Sequence, residues 1–333
     1  MRQEDKYIYQ VYCEGSFSKA AQKLFVTQPA LSLAIQRVEQ QIQMPLFDRS
    51  SRPLTLTEAG RAYIENIEKK MHLVQDLQRQ LGDIRDKNTG SIRLGGSHYL
   101  NAYLLPDILA GFKKTYPGIR ISLHENDAAT LAQMLTEKKL DMTFSCNADF
   151  IEDFDHIPAF YDHILLVVPA DWDINKQLSE YMLSADDIVT GKHLSPEHPA
   201  VSLEWFRDKP FILLNEGINL RIRCQQMFRD AGVEPLVTMQ LSQMVTAYRM
   251  AEHHIGATFI SDLVITPNDH NVRFYKLSHP LASRLFYLLT PKNMYVSYAT
   301  KTFGSYLQQC IESKHMETVS TPHNTPWPPS FHG

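Results

Sequence analysis

Apolar residues Leu31, Ile35 and Val38 recur four and three positions apart, the spacing of one buried helix face. Gln28, Ser32, Gln36 and Arg37 fall largely elsewhere, so a helix over residues 28–41 keeps a polar face. Thr27 is placed to cap its N-terminus, and Pro29 sits in the first turn, where a missing N–H is harmless. Ahead of it, residues 7–12 read as a short amphipathic helix ended near Gly15, and Ser16 or Ser18 can cap a second over residues 19–24. Phe25 and Val26 make the tight turn between the two. Short helices around such a turn, the latter with a polar face, form a helix-turn-helix. Its glutamines and arginine offer donors and acceptors to base edges in a major groove. Two short extended segments, 46–49 and 51–57, then read as a wing from which Arg49 and Arg52 can reach phosphate or a minor groove.

A longer period follows. Residues 57–87 contain no proline and no glycine between Gly60 and Gly82, and Thr57 with Glu58 can cap a helix there. Ile64, Ile67, Met71, Val74, Leu77, Leu81 and Ile84 form a heptad-like stripe. A single stripe on a long helix needs a partner, either a second copy of the helix or the chain's own core.

From residue 91 the pattern changes to short apolar runs alternating with helices. Strands are expected at 91–96, 119–123 and 141–145, with helices at 102–116 (broken or started near Pro106) and 128–138. That order means a parallel sheet with right-handed crossovers. A strand at 163–169 leads out. Strands at 211–214, 237–241 and 255–260 with helices at 220–230 and 243–252 repeat the pattern. Strands at 272–277 and 285–290 and a helix at 295–313 close it. The expected fold is therefore an N-terminal all-α winged helix-turn-helix (1–60), a linker helix (57–88) and a two-lobed α/β domain (91–312). Lobe I takes 91–162 and 268–312, and lobe II takes 163–267.

Open α/β sheets bind small ligands at the carboxyl ends of their strands. Those positions are Ser97 and His98, Asn126 and Asp127, and Ser145 and Cys146 in lobe I, with Gly217, Ile218, Asn219 and Ser261 in lobe II. Each alone is more readily a turn or cap residue than a ligand contact; as a set at strand ends they gain weight. A carboxylate at Asp127 would repel an acidic ligand, so either it caps its helix facing away, the reading preferred here, or the ligand carries a compensating amine.

One string carries a resemblance. Gly15-Ser16-Phe17-Ser18, Ala20-Ala21, Leu24 and Val26-Thr27-Gln28-Pro29-Ala30-Leu31-Ser32 are followed by Ile35, Glu39, Leu46-Phe47, Arg49 and Leu56-Thr57-x-Ala59-Gly60. In order and spacing this resembles the DNA-binding domain of LysR-type transcription regulators. Gln43-Met44-Pro45 departs from it, where the family usually has a Leu-Gly pair. The resemblance extends to about residue 312 through a periplasmic-binding-protein-like effector domain. It implies double-stranded operator DNA as partner, a homodimer through the linker helix assembling to a tetramer, and room for RNA polymerase. It also implies a small-molecule effector of unknown identity between the lobes. Residues 171–198 exceed the family's usual connection and are expected to be a disordered insertion or a lid. The proline-containing tail 314–333 is expected to be unstructured.

Composition narrows the alternatives. With 333 residues, 44% hydrophobic and 21% charged, the chain has the make-up of a soluble protein of two or three domains. No membrane span or secretory leader is visible, so the expected compartment is the cytoplasm, with no membrane partner. The net charge of −4 does not by itself advertise DNA binding. Cys13, Cys146, Cys224 and Cys310 form no Cys-x-x-Cys pair and read as reduced structural thiols. The 14 histidines show no helical metal spacing, so no metal and no cofactor is expected. A Gly-x-Ser-x-Gly elbow, a Walker loop and a His-Glu-x-x-His helix are all missing, which argues against an enzyme. A periplasmic solute receptor would need a leader. A repressor with a vestigial, ligand-free module remains the alternative to a sensor.

Overall fold

The computed structural model describes residues 2–50, 54–87, 89–267, 269–292 and 295–313. The chain divides into two compact units between Arg85 and Asp86.

In the first unit, α1 (Gln3–Glu14) begins ahead of the apolar pattern, with Glu4 and Asp5 favourably placed in its first turn. It ends on Gly15, whose left-handed φ of 58° lets its N–H reach the Val11 and Tyr12 carbonyls. Ser16, rather than Ser18, caps α2 (Phe17–Lys23) by accepting from the Lys19 N–H. Thr27 caps α3 (Gln28–Ile42) by accepting from the Ala30 N–H. The wing is an antiparallel pair, β1 (Phe47–Asp48) with β2 (Thr55–Leu56). The turn Ser51, Arg52 and Pro53 lies outside the described residues. Leu31, Ile35, Val38, Leu46 and Phe47 meet Ile8, Val11, Ala20 and Ala21 in one core.

Thr57 opens α4 (Glu58–Arg85), accepting from the Gly60 N–H and donating to the Pro45 carbonyl. Gly60 is required there, because any Cβ would collide with the carbonyl oxygen of Leu46. The apolar stripe splits along α4. Ile64 and Ile67 are buried and Met71 packs against the same core. Beyond them Leu73, Val74, Leu77, Leu81 and Ile84 are exposed, Ile84 to 81%. The chain's own core explains the first half of the stripe, and the second half is left without a cover in this unit.

The second unit starts with β3 (Gly90–Gly96). A π-helical turn (Leu100–Leu104) then runs into α5 (Leu105–Thr115), with Pro106 in its first turn. β4 (Ile119–Glu125), α6 (Ala128–Thr136) and β5 (Met142–Ser145) follow, and β4 and β5 both pair parallel with β3. After α7 (Ala148–Ile151) comes β6 (Asp155–Pro169), a 15-residue strand twice as long as its apolar run suggests. Its first half was masked by His156, Pro158 and Asp162. Pro158 sits where the pairing register slips, a place where a strand tolerates proline.

Residues 171–198 are ordered, which removes the disordered insertion from the two alternatives. They form α8 (Ile174–Gln177), β7 (Met182–Leu183), α9 (Ala185–Val189) and a 3-10 turn at Lys192–Leu194. Ile174, Leu178, Leu183, Ala185 and Ile188 enter the lobe II core. The intervening polar residues are structural. Ser184 and Asp187 form a reciprocal capping box, and the buried Asn175 amide donates to the Pro169 and Ala170 carbonyls.

β8 (Pro210–Leu214), α10 (Asn219–Asp230), β9 (Leu236–Leu241), α11 (Met244–Glu252) and β10 (Thr258–Ser261) complete most of lobe II. β11 (Val272–Lys276), β12 (Ser283–Thr290) and α12 (Tyr298–Ser313) follow. β10 and β11 flank the second half of β6, and β12 lies antiparallel between β5 and its first half. Residues 272–277 therefore belong to lobe II, not lobe I as the sequence suggested. Val272, Phe274, Tyr275 and Leu277 are buried in the lobe II core, and the chain re-enters lobe I at β12. The tail 314–333 lies outside the described residues.

Candidate DNA interface and effector cleft

On α3, Gln28, Pro29, Gln36 and Arg37 are exposed and Ser32 is half-buried, while Leu31, Ile35 and Val38 face the core. The face also carries an apolar side chain not singled out from the sequence: Leu33 is exposed between Pro29 and Arg37 in the i, i+4 row. Thr27 is a cap, as its spacing indicated. Among the described residues no carboxylate pairs with Arg37. Arg49 differs: its guanidinium donates to Glu39 Oε2 at 3.1 Å and lies over the Phe17 ring. Glu39 also accepts from the Leu46 N–H at 2.8 Å, so the Glu39–Arg49 pair braces α3 against the wing. Arg52 lies outside the described residues. Gln43 terminates α3 in the left-handed region, φ 57°, a conformation that glycine adopts without strain.

Most of the positions expected to line the cleft fall into two groups. Cys146, Asn219 and Ser261 converge on a charged network. Asn219, in the first turn of α10, accepts at Oδ1 from Arg284 (3.2 Å), Arg223 (3.2 Å) and the Cys146 thiol (3.5 Å). Arg284 on β12 donates to Asp162 on β6 at 2.6 Å and to the Tyr99 hydroxyl at 3.2 Å. Ser261, at the end of β10, hydrogen-bonds the other Asp162 oxygen. Asp162 and Arg284 are both buried. Burial opposes the guanidinium's charge, but the Asp162 carboxylate against it holds its pKa well above the ordinary arginine value. Burial pushes the Cys146 thiol up, which makes it a poor nucleophile. Gly217 supplies the left-handed turn, φ 84°, that delivers Ile218 and Asn219 to this place.

The other positions serve local structure. Asp127 caps α6, accepting from the Thr130 N–H (2.9 Å) and hydroxyl (2.7 Å), which hold its carboxyl below the usual range. His98 pairs with Glu125, the Asn126 amide contacts Met134, and Ser145 accepts from the Asn147 N–H. Ser97 stands apart from both groups: its hydroxyl is buried without a partner, and so is the Asn101 carbonyl oxygen one turn on. Such groups are costly unless something satisfies them.

Arg284, Asp162, Tyr99 and Arg223 were missed from the sequence. A signal existed for two of them. Asp162 stands two residues before the apolar run Ile164–Val168 and Arg284 directly before Leu285-Phe286, and a charge beside a buried run needs a partner.

Residues 85–310 match the LysR substrate binding domain, and residues 5–61 match the bacterial regulatory helix-turn-helix protein of the lysR family. The chain belongs to the LysR family. Its members are transcriptional regulators, not enzymes. The chain is 33% identical over 299 residues to a probable RuBisCO transcriptional regulator of Trichormus variabilis, covering 87% of this chain and 82% of that one. Full-length CbnR in complex with its target DNA shares the fold with a TM-score of 0.61 at 16% identity, over 94% of this chain and all of that one. The effector binding domain of QuiR in complex with shikimate matches with a TM-score of 0.53 at 18% identity, over 68% of this chain and 99% of that one. The LysR-family architecture, a helix-turn-helix followed by a two-lobed α/β effector domain, is the one described above. No helix among the described residues is long and apolar enough to cross a membrane.

Proposed function

We propose that this LysR-family regulator reads operator DNA as a homodimer through α3, and that a small-molecule effector between the lobes biases that binding. The reading rests on the exposed face of α3. Gln28, Ser32 and Gln36 lie on one row to meet base edges, Leu33 suits a thymine methyl, and the unpaired Arg37 suits phosphate. The dimer rests on Val74, Leu77, Leu81 and Ile84, an apolar row on α4 that this unit leaves exposed. Half-sites about one helical turn apart would match such a dimer. Ser97 and Asn101 support the effector, since a ligand donating to one and accepting from the other satisfies both buried atoms.

Selection from a pool of random duplexes with the full chain should return an inverted repeat. Leu77→Lys with Leu81→Lys should convert the dimer to monomers in light scattering and abolish retention of that repeat. Recovery of unrelated sequences, or a dimer that survives both lysines, overturns the reading. A thermal-shift screen with small acids and amines then separates a sensor from a ligand-free module.

A further inference from the structure

Three segments distant in sequence meet beside the strand that passes between the lobes. His163 lies on β6, His193 in the 3-10 turn of the 171–198 segment, and Asp262 in the turn that follows β10. His193 is buried, and the side chains of His163 and Asp262 are 18% and 13% exposed. His163 Nδ1 is 3.2 Å and His193 Nε2 is 3.0 Å from the same carboxylate oxygen, Asp262 Oδ2. All three ligand-type atoms fall within 4.8 Å of one another. The other Asp262 oxygen accepts from the His163 N–H at 3.1 Å, which fixes the carboxylate's orientation.

We propose that His163, His193 and Asp262 bind a divalent transition-metal ion of the zinc class. Two imidazoles and one carboxylate are a common zinc donor set, with the fourth position left to water. Zinc bonds of about 2.0–2.2 Å, set tetrahedrally, separate neighbouring ligand atoms by roughly 3.3–3.5 Å, close to the two distances found here. An ion enters with shifts of a few tenths of an ångström. Without an ion, His193 Nε2 donates to Asp262 Oδ2, because a carboxylate oxygen only accepts, while Nδ1 is buried without a partner. Binding an ion moves that ring proton to Nδ1, so that Nε2 presents its lone pair to the metal. The hydrogen bond from the His163 backbone supplies the orienting contact that metal-binding carboxylates use.

The position gives the ion a consequence. Each ligand on β6 and after β10 adjoins a member of the cleft network: His163 follows Asp162, and Asp262 follows Ser261. An ion here joins the 171–198 segment to both strands at the lobe crossing, so its binding is linked to the cleft's geometry.

The test is a titration of the chelator-stripped full chain with Zn²⁺, and separately with Co²⁺, in competition with a chromophoric chelator. The expected result is one ion per chain, a Tm raised by Zn²⁺, and a visible Co²⁺ spectrum of tetrahedral type. His193→Gln should weaken Zn²⁺ by about 100-fold or more while the metal-free variant still unfolds cooperatively. If that variant does not fold, His163→Gln carries the same test. Replacing His315, His323 and His332 of the tail with Ala should leave the stoichiometry unchanged. Zn²⁺ binding that survives both ligand variants, disappears with the tail histidines, or never reaches one ion per chain overturns the proposal.

Discussion

The face of α3 and the junction between the lobes are both polar, and they are polar for opposite reasons. On α3, Gln28, Gln36 and Arg37 stand exposed, and no described side chain engages them. At the junction Asp162 and Arg284 are 0% and 5% exposed, and they satisfy one another together with Tyr99, Asn219 and Ser261. An exposed side chain without a partner is free to bind and costs little to change. A buried network is first a structural element, and the orphaned Ser97 hydroxyl and Asn101 oxygen stand outside it. Function should therefore separate cleanly from stability on α3 and be entangled with it in the cleft.

The hardest test of that contrast is Arg284→Met, which leaves the Asp162 carboxylate buried without its counter-ion. It should cost about 3–5 kcal/mol in urea denaturation of the second unit's transition. The double variant with Asp162→Leu should recover much of that loss, because the uncompensated charge is then gone. A single-variant loss below about 1 kcal/mol would break the comparison.

Two neighbouring cleft positions sharpen it. Asn219→Ala removes an oxygen that accepts three hydrogen bonds, two of them from arginines, and should destabilise by about 1–3 kcal/mol. Ser97→Ala removes a hydroxyl with no partner and should stay within about 0.5 kcal/mol of the parent. Its effector response should fall by about 1–2 kcal/mol, read as DNA-binding change against effector concentration. If Ser97→Ala destabilises as much as Asn219→Ala, its hydroxyl belongs to the scaffold after all.

The smallest expected effect is at Asp127. Loss of its cap in Asp127→Ala should cost about 1 kcal/mol and leave the effector response unchanged. Because the folded carboxyl titrates below its unfolded value, this contribution is present above the ordinary aspartate pKa. It fades as pH falls through the lower folded value. Denaturation midpoints of parent and variant should therefore converge in acid. A variant that shifts the effector response would return Asp127 to the ligand's contacts.

The two regions also differ in how much of them could be read from the sequence. The reading helix, its cap at Thr27 and its polar row are local, set by spacings of three and four residues, and they stand where the pattern put them. The strands and helices of the second unit were legible for the same reason, apart from the ends of β6 and the lobe assignment of β11. The cleft network was not. Apart from Asn219 with Arg223, one helical turn apart, the bonded partners in it lie 65 residues or more from one another, and no local periodicity brings them together. The histidines behave the same way: without helical metal spacing, His163 and His193 are gathered only by the fold. The 171–198 segment misled because its polar residues, taken for solvent-facing loop, serve as caps and braces around buried apolar ones.

The central claim is that α3 reads base sequence through side chains the fold does not need, and Gln28→Ala tests it most directly. Fluorescence anisotropy of the full chain should be measured on the selected duplex and on a scrambled one at a single salt concentration, alongside a urea denaturation curve. The account predicts an unchanged denaturation midpoint and a loss of about 1–3 kcal/mol on the selected duplex, with little change on the scrambled one. An equal loss on both duplexes would place Gln28 on the phosphate backbone and contradict it.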